Sequence, residues 1–211
     1  MKYGVDSLMR SVHPYLPFIP DDAMRLIVGS LPPERFCVLP KCLKEKDVDF
    51  YYGSKDNHFW KLLAQVADVQ LDYDNSQNAT EQRMKLLTAL GCGITDVVAS
   101  CTRSKDSASD SNLTTIVYQP IFQYIADHPT IQMLIYTSHF VQTQVYRHFT
   151  TVFGKSWQRV SLDARHHQLH FPDGRILDDI TLYSPSPQAL KGLGKGGKEK
   201  RLAQYREVFN N

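Results

Sequence analysis

Arg25-Leu26-Ile27-Val28-Gly29-Ser30-Leu31-Pro32-Pro33 is the stretch on which the fold turns. It opens as a short apolar run and closes on Gly-Ser and a proline pair. That is the pattern of a buried strand running into a turn. A second run, 131–138 (IQMLIYTS), is the clearest buried strand of the chain. Helical spacing follows it over 139–153 and is found again in FWKLLAQVA, where Asp56 or Asn57 is placed to cap the first turn. Residues 79–90 predict another helix, stopped by Gly91-Cys92-Gly93. Residues 94–100 read as a strand or buried turn. Residues 113–127 read as helical, kinked or divided at Pro120. QRVSL (158–162), HQLHF (167–171) and ILDDITLYS (176–184) read as strands, with Pro172-Asp173-Gly174 a turn. A basic helix is expected over 195–209.

Strands alternating with helices argue for a parallel sheet covered on both faces. Ligands of such sheets bind outside the carboxyl ends of the strands. Three loops leave those ends: GSLPP after the first strand, TSH after 131–136 and SPSP after 179–183. An active site is expected where they meet. Residues 31–50 between the first strand and first helix read as a long loop, a length that usually has a function.

With 211 residues, one domain over 1–211 is expected. Lys and Arg total 24 against 22 Asp and Glu, a net charge of +2, so bulk charge does not drive nucleic-acid binding. Any such contact must come from a local patch, and Lys191, Lys195, Lys198, Lys200 and Arg201 form the best one. No run approaches the ~20 apolar residues of a membrane helix. No basic segment leads into an apolar one at the start, so a cytoplasmic protein with reduced cysteines is expected. The spacings of Cys37, Cys42, Cys92 and Cys101 match neither a zinc ribbon nor a four-cysteine cluster, and His166 and His170 have no acidic partner in sequence. No metal and no cofactor is expected.

Four segments stand in order: Leu26-Ile-Val-Gly29-Ser30-Leu31-Pro32; Tyr51-Tyr52-Gly53 through Asn57-His-Phe59-Trp60; Gly93-Ile94-Thr-Asp96-Val97-Val98 with Arg103 and Ser109-Asp110 downstream; and Leu182-Tyr-Ser184-Pro185-Ser186-Pro187. Together they resemble the motifs of the uracil-DNA glycosylase superfamily, nearest its hypoxanthine and mismatch-specific branch, over roughly 25–190. The resemblance implies a three-layer α/β/α sandwich around a central, mainly parallel four-stranded sheet. It implies a monofunctional hydrolase, acting as a monomer, that flips a deaminated base from DNA and cuts its bond to the sugar.

Carried over residue by residue, the resemblance makes Tyr52 the aromatic that stacks on the base. Gly29, Ser30, Leu31, Pro32 and Thr137 line the base pocket. Asn57 and Asp96 are the catalytic candidates, Asn57 as the holder of water. Ser184, Pro185, Ser186 and Pro187 grip the phosphate backbone, Gln188 with Ala189 and Leu190 forms the wedge, and Lys191 and Lys195 contact phosphates. Plainer readings stand beside these: Tyr52 as a core aromatic, Asn57 as a helix cap, Asp96 as a partner of backbone amides or Arg103, Ser184 and Ser186 as turn residues. Phe59 and Trp60 are expected in the core. The chain departs from the family pattern at Pro33 for Gly, Leu31 and Thr137 for Asn, and Ser184 for His. Two other functions stay open: a module on the same fold that binds nucleic acid without cutting it, and a hydrolase of free nucleosides.

Overall fold

The computed structural model describes residues 9–103 and 110–210. The central sheet begins with β2 (Arg25–Gly29), as the apolar run predicted. On one side β2 pairs in parallel with β3 (Cys92–Asp96), and on the other with β6 (Met133–Tyr136). Next comes β9 (Ile176–Thr181), also parallel. The sheet does not stop there. Two antiparallel strands, β8 (His166–His170) and β7 (Gln158–Ser161), extend it past β9, so it has six strands and not four. The turn at 172–174 is what permits this, because it reverses the chain from β8 into β9.

A second, three-stranded antiparallel sheet is formed by β1 (Met9–Val12), β4 (Val98–Arg103) and β5 (Leu113–Tyr118). The segment 113–127 is therefore not one helix. Thr114, Thr115, Ile116 and Val117 are a β-branched run, which suits a pleated strand. Pro120 caps a separate helix, α4 (Ile121–Asp127). Residues 94–100 span the end of β3 and the start of β4, joined through Val97.

Helices cover both faces of the central sheet. On one face Ile27, Ile94, Ile135 and Ile180 pack against α2 (Phe59–Ala67), α3 (Gln77–Ala89) and α7 (Gly197–Phe209). On the other, Leu26, Val28, Leu134 and Tyr136 pack against α4 and α5 (His139–Phe153). The alternation along β2 explains its continuous apolar run: successive side chains enter two different cores. Phe59 and Trp60 are buried in the first, and Trp60 Nε1 donates to the Tyr51 carbonyl at 2.7 Å.

The segment 31–50 is a loop apart from a short turn of helix, α1 (Glu34–Cys37). It is held from within by Asp47, which is buried. Its carboxylate accepts from Arg35 Nε at 2.7 Å and from the backbone amides of Lys44 and Lys55, both at 2.9 Å. Burial alone would push that carboxyl up, but these donors outweigh it and leave its pKa lowered.

Candidate active site

The parallel strands end at one edge, and their loops enclose a cleft of about 330 Å³. That lies at the small end of ligand pockets, ~300–1,000 Å³. The chain leaves β2 toward β3 on one side and reaches β6 on the other, so the cleft sits at the switch point of the sheet. All three expected loops contribute: Ser30 to Pro33, Thr137 with Ser138, and Ser184 to Gln188.

Asp96, at the end of β3, is buried yet lines the cleft. Its Oδ2 accepts a hydrogen bond from His13 Nε2 at 2.9 Å. Among the described residues Oδ1 has no hydrogen-bond partner, and it is not among the buried unsatisfied atoms. It is an open acceptor. Gly29 lies beneath it: a Cβ there would meet Asp96 Oδ1 at 2.1 Å and Tyr52 Oη at 2.5 Å. Gly29 therefore does not line the cleft itself, as expected of it, but leaves space for two groups that do.

Tyr52 sits in the left-handed region (φ 54), in the turn that closes when Val48 N donates to the Gly53 carbonyl at 2.8 Å. Few non-glycine residues adopt this conformation, and such strain gathers at functional sites. The ring lies 4.5 Å from Phe59, tilted 30°. Its hydroxyl donates to Thr137 Oγ1 at 2.6 Å, and Thr137 donates on to the Val28 carbonyl at 3.3 Å. Burial raises the Tyr52 pKa, so the phenol stays neutral and remains a donor.

Asn57 lines the cleft just before α2. The helix cap position is His58, but Asn57 Oδ1 accepts from the Phe59 amide at 2.8 Å. The capping and cleft readings therefore coexist in one side chain. Its Nδ2 has no partner among the described residues.

Besides Asp96 and the exposed Asp56, the cleft has a third carboxylate, Asp110. The sequence motif includes it, but without a role; its neighbour Ser109 lies outside the described residues. Burial and the charge of Asp96 push its pKa up to about 6, against hydrogen bonding from Ser30 and the pull of Arg103. Arg103, at the end of β4, is buried; it donates to the Pro32 carbonyl and to Ser11 Oγ, tying the GSLPP loop to β1. A raised carboxyl takes up protons on folding, so its contribution to stability falls as pH rises from 3.8 toward about 6. Asp110→Asn should remove that slope. The variant gains on the native chain between pH 4 and 7, by up to about 1.4 kcal/mol per pH unit. Urea midpoints across that range read the effect, and a constant difference would refute it.

The SPSP loop is held from below by α7. Arg201 Nη1 donates to the carbonyls of Ser184 (3.0 Å) and Ser186 (3.2 Å). Its Nη2 donates to His58 Nδ1 at 2.9 Å, and the His58 amide donates to the Pro185 carbonyl at 3.2 Å. Burial and then the Arg201 charge lower the His58 pKa, which keeps Nδ1 an acceptor. Ser184, Pro185, Ser186, Pro187 and Gln188 all line the cleft; Lys191 and Lys195 are exposed and do not. Ala189 and Leu190 are partly buried at the start of α6 (Ala189–Gly192).

Sequence pattern assigns no role to His13 or His58, and it places Arg201 in a basic patch open to phosphate, whereas Arg201 is buried beneath the SPSP loop. His13 stands 83 positions from its partner, outside any motif. No group of three His, Cys, Asp or Glu side chains among the described residues is placed to hold a metal ion. No described helix is long and apolar enough to cross a membrane.

The fold is similar to the solution NMR structure described as a "putative Uracil DNA glycosylase" from Methanosarcina acetivorans, with TM-score 0.59. The two chains share a fold. The match covers 95% of this chain and 99% of that one at 18% identity, so the likeness is one of architecture. No protein-family model and no curated protein matches the sequence.

Proposed function

We propose that this protein is a monofunctional DNA glycosylase. In this reading it flips a deaminated base, uracil or hypoxanthine, into the cleft and hydrolyses the base–sugar bond. The observation that carries it is Asp96 Oδ1, an open carboxylate oxygen beside Tyr52 in a cleft bounded by the SPSP loop. Support also comes from the shared fold and the four ordered motifs.

The base stacks on Tyr52. A water hydrogen-bonds to Asp96 Oδ1, with Asn57 Nδ2 as a second anchor. As the C1′–N bond breaks, its electron pair leaves with the base, and positive charge builds on the sugar. Asp96 stabilises that charge and takes the proton of the water whose oxygen bonds to C1′. The departing base takes up a proton, for which Asp110 is the placed acid. Among the described residues no lysine lines the cleft, in keeping with attack by water rather than by an amine. Ser184 and Ser186 hold phosphates, their loop carbonyls being already taken by Arg201 and His58.

The test is base release from duplexes carrying uracil, hypoxanthine or xanthine. Asn57→Ala should lose at least ~100-fold in rate. Because Asn57 Oδ1 also caps α2, that variant should lose about 1 kcal/mol of stability as well. Asn57→Asp keeps the cap but exchanges the Nδ2 donor for a charged acceptor, so a rate loss without a stability loss would separate the two roles. Tight DNA binding with no release from any substrate would favour the non-cutting module. One observation leans that way: the Thr137 hydroxyl, where the family pattern has a base-reading Asn, is engaged by Tyr52 and Val28.

A further inference from the structure

We propose that His13 is a positioning residue that holds Asp96 in its working orientation, an inference that rests on the glycosylase reading of the cleft. The His13 side chain is 1% exposed and that of Asp96 5%. A carboxylate taken out of water to that degree needs a donor, or it takes up a proton. His13 Nε2 is that donor, 2.9 Å from Oδ2. With Oδ2 occupied, the carboxylate has one oxygen left, and that is the one in the cleft.

His13 is itself fixed on several sides. Its Nδ1 lies 3.2 Å from the Tyr15 amide and 2.9 Å from the Tyr15 carbonyl. With Nδ1 accepting from the Tyr15 amide, the neutral ring carries its proton on Nε2, which faces Asp96. The ring packs at 5.3 Å against Tyr51 and edge-on at 5.8 Å against Tyr15. The backbone around it is anchored twice. On one side β1 pairs with β4, and on the other Phe18 exchanges hydrogen bonds with Ile94 at 3.1 and 2.8 Å. Ile94 belongs to the strand that ends in Asp96. The strap of residues 9–18 thus brings His13 to the carboxylate with little freedom to miss it. This is the arrangement of a base oriented by a third group behind it, with the histidine as the orienting group and the carboxylate in front.

Two variants separate positioning from packing. His13→Gln keeps an N–H near the Nε2 position; His13→Phe keeps the ring volume and removes the donor. In single-turnover base release at saturating duplex, His13→Phe should fall by about 100-fold, the scale expected when a reacting group is misaligned. Duplex affinity should stay within about threefold, and His13→Gln should recover most of the rate. Equal losses in both variants, or no loss in His13→Phe, would overturn the assignment. A second measurement does not depend on catalysis: the His13 Nε2–H proton should give a slowly exchanging NMR signal that disappears in Asp96→Ala. If the native protein releases no base but shows this signal, the glycosylase reading fails and the pair stands. If it releases base but lacks the signal, the pair fails and the reading stands.

Discussion

Asp96→Asn is expected to lower the single-turnover rate of base release by about 10³-fold while the protein stays folded. A general base contributes ~10²–10⁴-fold. The exchange is nearly isosteric. The amide oxygen can still accept from His13 Nε2, which leaves the amide nitrogen where Oδ1 stood in the cleft. An acceptor that takes a proton from water becomes a donor that cannot. The negative charge that favours a positive sugar is lost in the same step. Stability should change by less than about 1 kcal/mol, because the variant also removes a buried charge near a second carboxylate. Asp110 provides an internal check. The Asp96 charge is one cause of its raised pKa, so in Asp96→Asn that pKa should drop below about 6. A variant that releases base at the native rate would remove Asp96 from the mechanism.

Gly53→Ala should be the most damaging glycine-to-alanine change among the described residues. A Cβ there would lie 1.7 Å from the Val48 carbonyl oxygen and 2.7 Å from that of Phe50. Both are backbone atoms, so no side chain can turn aside. The turn is closed by hydrogen bonds of 2.8 and 2.9 Å that involve Gly53 itself. Relaxation would have to pass through Tyr52, already in the left-handed region, or through the packed Val48. A cost of about 3–5 kcal/mol is expected, the range reserved for strain of this kind. Tyr52 and Asn57 flank the turn, so base release should vanish even in molecules that remain folded. Gly192→Ala is the control: a Cβ there meets nothing within 4 Å, and its unfolding midpoint should not fall.

The parallel core of this fold was legible because both faces of the central sheet are covered. That condition writes RLIVG and MLIY as unbroken apolar runs that end on turn residues. The antiparallel strands β7 and β8 read as strands, but nothing local marked them as members of the central sheet. All of β7 is exposed, so no core imposes a pattern on it. The run 113–118 has neither the length nor the alternation to separate strand from helix, while Pro120 divides the segment, one of its two expected effects, and starts α4. In the cleft, motif spacing found the carboxylate and the amide but not the groups behind them. The His13–Asp96 contact, 83 positions apart, and the hydrogen bonds from Arg201 to the Ser184 and Ser186 carbonyls are products of tertiary approach. Asp110 was visible as a letter in a motif; its raised pKa comes from burial beside Asp96, which no local pattern encodes.

The two halves of the His13–Asp96 contact come from different parts of the fold, one just past β1 of the small sheet and the other at the tip of β3 in the central one. A molecule that has formed its parallel sheet but has not yet seated the small one owns the cleft without its aligned carboxylate. For a protein whose proposed chemistry strips bases from DNA, that dependence is a safety catch.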